Sequence, residues 1–298
     1  MSSAIHQPDF KLSSIHLRLA TPADGNICGD ILYNAFGKIN LQHGFANEVQ
    51  SRGAGIGMVT MLFSHPRFYC LVAELERRIV GSICLDERST IGGIGPLTIA
   101  PDAQDRGIGR MLMEAIVDRA KERSLSGIRL TQASYHSRSL ALYTKLGFSA
   151  RESIAVMTAL RLKQQPVTGC VIRRASGSDL EPANQVCYRV HGHTRSRELH
   201  EAINHGTALV VERDEMITGY ASGLGYLSHA VGESNLDIQA LLCAAGQFEG
   251  PGVLIPTRNS ELFRWCLRNG MRVVHPVTLM TMGLYNEPHG GYLPSVLY

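Results

Sequence analysis

The chain lacks the long apolar runs that a membrane protein needs. No stretch of the 298 residues approaches the roughly 18 uninterrupted apolar residues of a membrane-spanning helix. The opening residues 1–14 also lack the apolar core and the cleavage pattern of a signal peptide. We therefore expect a folded protein of the cytoplasm that does not bind membranes.

The sequence also lacks a basic stripe and any paired cysteine motif. Its formal net charge is only +3, and Lys and Arg are scattered without interleaved aromatic residues, so nucleic acid is not an expected partner. The cysteines are odd in number and form no C-x-x-C pair, which argues against a disulfide framework and a zinc cage, and we expect no metal. They are Cys28, Cys70, Cys84, Cys170, Cys187, Cys243 and Cys266.

A hydrophobic content of 44% is ample for buried cores, and these residues are arranged in two similar halves. Three segments of the first half return in the same order in the second. The pairs are 17–21 with 172–176, 71–81 with 209–219, and 137–148 with 260–271. The first pair predicts a strand running into an Asp-capped helix, the second a hairpin, and the third a helix that ends at glycine. The shared order favours a duplicated architecture.

The separation between the copies indicates where the two halves differ. It falls along the chain from 155 to 138 to 123 residues, so the second half has lost residues between these segments. Residues 1–162 are expected to form the first domain, and residues 170–298 the second domain with a C-terminal tail. The polar segment 163–169, which contains Pro166 and Gly169, is the expected linker.

A glycine-containing turn in the first half predicts a phosphate-binding site. It follows the short apolar segment 94–99, contains Gly107 and Gly109, and opens a helix whose apolar residues share one face. Glycines at a helix start let a ligand approach the unpaired N–H groups at its positive end. A dinucleotide fingerprint would need glycine at Leu112, and a P-loop would need Gly-Lys-Ser or Gly-Lys-Thr, so neither fits. We find no corresponding turn in the second half.

A second motif makes the pattern more specific. The segment 137–148 reads SRSLALYTKLGF, a short helix closed by glycine before another strand. A Q-x-x-G-x-G turn that opens a helix, then a strand, then an L-Y-x-K-L-G-F helix end resembles the GNAT superfamily of N-acetyltransferases. The resemblance covers about residues 15–160. The second half is similar to a degenerate GNAT copy, so the chain resembles tandem-GNAT proteins.

The resemblance implies a mixed α/β (α+β) fold of two GNAT-like domains, each with a central, mostly antiparallel, twisted sheet flanked by helices. It also implies that acetyl-CoA is the cosubstrate. The turn would hold the CoA pyrophosphate, and the preceding strand would pair with the pantetheine arm. The implied cofactor-binding residues are Leu97, Thr98, Ile99, Gln104, Asp105, Arg106, Gly107, Ile108, Gly109, Arg110 and His136.

Individual residues of this set have different implied roles. Gln104 would shape the loop, while Arg106 and Arg110 would add charge-assisted contacts to phosphate. His136 stands where the family often has asparagine and would face the pantetheine or the adenosine. Pro96 and the glycine before it weaken a sheet ladder, so we expect the strands to separate here and leave a slot.

Acetyl transfer to an amine requires a neutral nucleophile, a polarised carbonyl and a way to discharge the leaving thiolate. Tyr143, in the L-Y-x-K-L-G-F motif, is the candidate for the last role. Because a thiol of pKa about 8.5 leaves against a tyrosine of pKa about 10, a hydrogen bond to the thiolate is at least as reasonable as full proton transfer. The second half has Cys266 at the position of Tyr143 and keeps Asn259 at that of His136, so we expect it not to catalyse.

The sequence leaves the general base open. His43 is one candidate, because it lies in a polar segment where GNAT enzymes build the acceptor wall, and Glu74 on the hairpin is another. Glu212 repeats Glu74 in the half without the turn, which weighs against Glu74. An α-amine of pKa about 7.8 is neutral often enough to react with water as the base. A covalent route through Cys84 or Cys70 has no nearby Cys–His pattern to support it.

We therefore expect an N-acetyltransferase that moves an acetyl group from acetyl-CoA to a primary amine of a small molecule or amino acid, by direct attack in a ternary complex. The second half would shape the acceptor pocket or the interface of a homodimer. The alternative is a non-catalytic acyl-CoA-binding sensor or interaction module. Retention of Tyr143 beside the intact turn favours the enzyme.

Overall fold

The computed structural model describes residues 15–163 and 167–297. Part of the expected linker, including Pro166, and the opening segment 1–14 lie outside the described residues. The first half contains β1 (Ile15–Leu19), α1 (Gly25–Gln42), α2 (Arg52–Ser64), β2 (Phe68–Leu75), β3 (Arg78–Asp86), β4 (Ile91–Ile94), β5 (Thr98–Ile99), α3 (Ile108–Glu122), β6 (Gly127–Ala133), α4 (Ser137–Lys145) and β7 (Ser149–Thr158).

The second half repeats this order, except that its described residues contain no counterpart of β5, and it adds one strand at its end. It contains β8 (Val171–Arg174), α5 (Leu180–His191), α6 (Ser196–Asn204), β9 (Leu209–Arg213), β10 (Met216–Ala221), β11 (Ala230–Gly232), α7 (Asn235–Ala244), β12 (Val253–Pro256), α8 (Ser260–Arg268), β13 (Arg272–Gly283) and β14 (Gly291–Leu293). The hairpins and helices predicted from the repeated segments are confirmed. The mixed α/β class is confirmed as well.

An ion-pair network recurs at matching places in the two halves. Arg18 donates two hydrogen bonds of 2.8 Å to Asp24 and one of 2.8 Å to Glu74. In the second half Arg173 makes the same bonds to Asp179 and Glu212. Both aspartates also close a capping box, with Thr21 and Ser176, at a short 3-10 turn before the first helix. The sequence predicted an Asp cap on the helix itself, but neither aspartate makes a side-chain cap bond to it. The arginine lowers the pKa of Asp24 to about 2, so this ion pair persists well below neutral pH.

Strand β13 belongs to the second half of the sequence but lies within the sheet of the first half. The larger sheet has the order β1-β2-β3-β4-β6-β13-β7-β12, and β5 pairs with β3 alone. Strand β13 is antiparallel to β6 on one side and to β7 on the other, and β7 in turn pairs with β12. Each half therefore places a long strand between two strands of the other half. The smaller sheet has the order β14-β11-β10-β9-β8.

The exchanged strands are fixed by a buried apolar cluster. Ile154 and Val156 on β7 contact Val277 and Leu279 on β13 and Leu254 on β12, and all five are at most 2% exposed. Because side chains alternate along a strand, one face of this ladder faces the cluster throughout. The two halves therefore share one hydrophobic interior at this point. In the part of the chain that the structure describes, no helix is long and apolar enough to cross a membrane.

We predict that the two halves unfold together. Replacing Leu279 by Ala should lower the free energy of unfolding by about 2–5 kcal/mol, because it leaves a cavity in the shared cluster. Calorimetry should show one transition at a lower temperature, and hydrogen exchange should show lost protection in β6 and β12 alike. The matched control Leu160→Ala, at a fully exposed side chain, should change stability by less than about 0.5 kcal/mol. Two separate transitions would contradict the prediction.

Candidate functional site

Two strands of the larger sheet separate and leave a slot between them. Strand β4 pairs with β6 in parallel only as far as Gly93. After the cis peptide bond Gly95-Pro96 the chain continues as β5, which pairs with β3. Among the described residues no strand fills the space between β5 and the part of β6 that follows Arg129. The separation expected from Gly95 and Pro96 is therefore present.

The glycine turn and helix α3 lie at the mouth of this slot. A Cβ atom placed on Gly109 would lie 3.8 Å from side-chain atoms of Ile99 and Leu142 and 4.0 Å from Leu97. The sequence-predicted strand and turn are therefore brought together, with α4 beside them. Thr98 points the other way and is buried, with its hydroxyl 3.1 Å from that of Ser82. Its side chain therefore faces the protein interior, not the slot.

The first turn of α3 has no side-chain cap. Helix α3 begins at Ile108, and Gly107 before it has a left-handed backbone with φ of 78°. Glycine adopts this conformation without the steric cost that a Cβ would bring. No acidic residue lies in the first turn of the helix, and none of the described side chains caps it. Its N–H groups and its positive dipole end are therefore free for an anion such as phosphate.

Arg138 braces the turn from the start of α4. Its guanidinium donates at 2.8 Å to Asp105 and at 2.9 Å to the side-chain oxygen of Gln104. Gln104 in turn donates at 3.2 Å to the backbone carbonyl of Ile99. The turn is thus hydrogen-bonded both to α4, through Arg138, and to β5, through Ile99. The sequence analysis missed Arg138, although it lies next to the first residue of the recognised L-Y-x-K-L-G-F helix.

The two arginines predicted to contact phosphate lie in or next to the turn. The side chain of Arg106 is half-buried. Arg110 lies in the first turn of α3, and its Nε donates at 2.8 Å to Glu114 on the same exposed face. Arg110 would therefore exchange a surface ion pair of small worth for a phosphate contact.

Two buried polar atoms on the α4 side of β6 have no hydrogen-bond partner among the described residues. They are Nε2 of His136 and Nε2 of Gln132. Burial lowers the pKa of His136, so its ring is neutral at neutral pH. The oxygen of Gln132 accepts a hydrogen bond of 2.8 Å from Ser139, which fixes the amide. Unpaired buried polar groups are costly, so both atoms fit a polar ligand in the slot. Sequence reasoning had no signal for Gln132.

Tyr143 lies in the core beneath the slot. It is 8% exposed and meets Phe148 edge to face, with 6.2 Å between the ring centres. Burial raises the pKa of its hydroxyl, so the group carries its proton at neutral pH. It is therefore a hydrogen-bond donor, as the predicted role requires.

The two candidate bases lie in different surroundings. His43 follows the last residue of α1 and is exposed, and its Nδ1 lies 2.9 Å from the carbonyl oxygen of Ile39. Because a carbonyl only accepts, Nδ1 must carry the proton and Nε2 holds the lone pair when the ring is neutral. Glu74, by contrast, is held by Arg18 at the β1 edge of the sheet, away from the slot. Its carboxylate is engaged in the repeated ion-pair network.

The cysteines considered for a covalent route are a buried thiol pair. Cys70 and Cys84 face each other across β2 and β3 with their sulfur atoms 2.6 Å apart. Burial raises the pKa of the Cys84 thiol, which disfavours a reactive thiolate. In the described residues no group of three or more His, Cys, Asp or Glu side chains is placed to hold a metal ion.

The corresponding helix of the second half has a different N-terminus. Asp237 lies in the first turn of α7, is 0% exposed, and accepts at 2.8 Å from the backbone N–H and the hydroxyl of Ser234. Thr218 donates to its other oxygen at 2.7 Å. A cavity of about 340 Å³ lies nearby, lined among others by Asn235, Asn259 and Tyr292. The buried carboxylate repels phosphate at this helix end, so this cavity does not match the site on α3.

Comparison with known proteins gives matches in the part of the chain that contains the slot. Residues 41–148 match the model of the Acetyltransferase (GNAT) family. The IAA acetyltransferase of Azospirillum brasilense is 34% identical over 88 residues, which is 29% of this chain and 58% of that protein. The [Ribosomal protein bS18]-alanine N-acetyltransferase of Salmonella typhimurium is 31% identical over 70 residues, which is 24% of this chain and 45% of that protein. The chain thus spans about half the length of these relatives.

Two solved structures resemble the whole chain in fold. A proposed acetyltransferase from Pyrococcus horikoshii has a TM-score of 0.72 at 21% identity, and the match covers 96% of each chain. A GCN5-related N-acetyltransferase from Sphaerobacter thermophilus has a TM-score of 0.61 at 15% identity, covering 95% of this chain and 98% of the other. The two-sheet architecture with both halves is therefore shared with these proteins.

Replacing Arg138 by Met should weaken coenzyme A binding, because the turn would lose its bonds to α4. Because both side chains of the Arg138–Asp105 pair are more than half exposed, its bonds are worth about 1 kcal/mol or less, and we expect the Kd to rise about two- to fivefold. Titration calorimetry with coenzyme A measures this. The matched control Arg161→Met, at an exposed arginine beyond β7, should leave the Kd unchanged. Equal affinity of both variants would show that the brace is not needed.

Proposed function

Because residues 41–148 match the GNAT acetyltransferase family, we propose that the chain is an acetyl-CoA-dependent N-acetyltransferase. The observation that carries the proposal is the uncapped N-terminus of α3 at the mouth of an open strand slot. A phosphate at the helix end and an extended arm along the strand edge fit the two parts of this site. The buried unpaired nitrogens of Gln132 and His136 add polar contacts for the same ligand.

The extended strand β5 supplies backbone donors to the slot. The N–H of Ala100 donates at 2.7 Å to Val80 on β3, so by alternation along the strand the N–H of Ile99 points away from β3. The same alternation directs the N–H of Leu97 toward the slot. Leu97, Thr98 and Ile99 therefore form the segment proposed to pair with the pantetheine arm. Of the two candidate donors to the thioester carbonyl, the N–H groups of Leu97 and Thr98, the alternation favours that of Leu97, because that of Thr98 points toward β3.

The proposed reaction is direct attack by a primary amine in a ternary complex. The amine nitrogen bonds to the acetyl carbon, the carbon–sulfur bond breaks, and the thiolate takes up a proton while the nitrogen loses one. Tyr143, neutral and a donor, would stabilise the thiolate. His43 is the proposed base, since its Nε2 holds the lone pair on the exposed side of the α1 end. The acceptor is proposed to be a small molecule or an amino acid.

The second half is proposed to be a degenerate GNAT-like copy without turnover. On this proposal residues 1–162 form the catalytic domain, 163–169 the linker and 170–298 the second domain. The repeated ion-pair network and the repeated order of elements support the duplication. The carboxylate of Asp237 at the N-terminus of α7 and the replacement of tyrosine by Cys266 support the loss of a second site.

A thiol-release assay with acetyl-CoA and a panel of primary amines tests the function. We expect turnover by the wild type, and a loss of about 100-fold or more in kcat for Tyr143→Phe with the Kd for coenzyme A unchanged. Gly107→Val should abolish coenzyme A binding, because valine is strained at a φ of 78°. Tight coenzyme A binding with no turnover on any amine would instead favour a non-catalytic acyl-CoA sensor.

A further inference from the structure

A buried carboxylate lies where the two halves meet. Glu48 belongs to the segment between α1 and α2, and its side chain is 7% exposed. The hydroxyl of Tyr226, from the second half, donates to its Oε2 at 2.5 Å. Burial raises the pKa of Glu48, which reflects the cost of a charge without a full counter-ion.

Within the described ranges Glu48 makes no ion pair with Lys or Arg. A basic nitrogen that does lie close is Nε2 of His275, which is 3.5 Å from Oε2 but lacks hydrogen-bond geometry. Burial lowers the pKa of His275 to about 4, so the ring is neutral at pH 7 and gives no counter-charge. Both ring nitrogens of this 1% exposed side chain are without a hydrogen-bond partner among the described residues. The carboxylate of Glu48 thus lies next to the imidazole of His275, whose nitrogens have no hydrogen-bond partner among the described residues.

Aromatic rings surround this pair. Phe45 stacks on Tyr135 with 4.5 Å between ring centres, and the rings of Tyr135 and Tyr226 each lie 6.4 Å from that of His275. The hydroxyl of Tyr135 donates at 2.7 Å to Asn40, which is 0% exposed, so this wall is fixed. A buried carboxylate with several aromatic rings nearby is an environment that attracts an ammonium group, because ring faces carry negative potential.

The cluster formed by Glu48, His275 and the rings around them, here called the Glu48 cluster, lies beside the strand slot. Tyr135 lies between the end of β6 and His136, at the open end of the strand slot. The C-terminal tail closes the same side, since the carbonyl of Val296 accepts from Thr131 on β6 and its N–H donates to the carbonyl of Tyr226. The cluster therefore stands beside the cofactor slot, walled by both halves of the chain.

We propose that the acceptor is a primary amine that binds as its ammonium ion against Glu48, beside the rings of Phe45, Tyr135 and Tyr226. The inference rests on the proposed function and narrows its substrate class. In an α-amino acid, the carboxylate beside the amine would lie against the carboxylate of Glu48 and be repelled. The site should therefore bind amines that lack an adjacent carboxylate and reject α-amino acids. Tyr226 and His275 come from the second half, which gives that half a role in acceptor binding.

The decisive measurement is binding, which does not need turnover. Titration calorimetry with the protein–coenzyme A complex should show binding of phenethylamine, histamine or putrescine. L-phenylalanine should bind at least about tenfold more weakly than phenethylamine. Failure of all three cationic amines to bind, or equal affinity for L-phenylalanine and phenethylamine, would overturn the inference. The thiol-release assay reports separately on catalysis. Amine binding without turnover would therefore contradict the proposed acetyltransferase activity but not the proposed amine site at Glu48.

Glu48→Gln isolates the charge, because glutamine keeps the shape and an acceptor for Tyr226. We expect the Kd of the amine to rise at least about 30-fold, with coenzyme A affinity unchanged. Aniline, which is neutral at pH 7, should lose little affinity, and Glu48→Asp should restore part of the amine binding. Glu122→Gln, at an exposed position of α3, is the matched control. An unchanged Kd in Glu48→Gln, or an equal loss for aniline and phenethylamine, would contradict a charge-specific role.

Tyr226→Phe tests the contribution of the second half. The variant keeps the ring and removes the hydroxyl that orients Glu48, so we expect a smaller rise in the amine Kd, about three- to tenfold. Melting temperature is measured in parallel to separate this effect from unfolding. An amine Kd equal to that of the wild type, in a folded variant, would remove the second half from the acceptor site.

Discussion

The ladder of β6, β13, β7 and β12 is the constraint on which the rest of the structure depends. It holds β6 on one side through a strand of the other half, which leaves the opposite edge of β6 free past the point where β4 departs. Because one edge of β6 is unpaired at the slot, the position of β6 depends on its pairing with β13 at the other edge. The same ladder carries His275 to the end of β6, beside Tyr135. The strand slot and the Glu48 cluster therefore share one support.

The two halves differ most in the charge at one helix end. In the first half the N-terminus of α3 is uncapped and follows Gly107, whereas in the second half the buried Asp237 fills the N-terminus of α7. A carboxylate at that position stabilises its own helix and repels an external anion. One residue type thus separates a helix end suited to ligand binding from one suited to folding. The scaffolds around them keep the same order of strands and helices, apart from β5, which has no counterpart among the described residues of the second half, and the added β14.

The sequence predicted local features well because they depend on neighbouring residues. The hairpins, the helix ends at Gly147 and Gly270, and the glycine turn each have a short-range pattern. The place of β13 was not predictable in this way, since its partners lie more than 110 residues earlier and apolar alternation suits any sheet. The Glu48 cluster was missed for a similar reason. A glutamate in a polar segment becomes buried only when Tyr226 closes over it.

The strand exchange also determines how soon the larger sheet can be completed during synthesis of the chain. Strand β7 ends at Thr158, and its partner β13 ends at Gly283, so the ribosome adds 125 residues between the two. At ordinary rates of elongation this takes on the order of 10 s. During that interval β6 and β7 of the emerging chain lack the strand that separates them, and their apolar edges are open to wrong pairing. The first half is therefore the older part of the nascent chain but among the last to be complete.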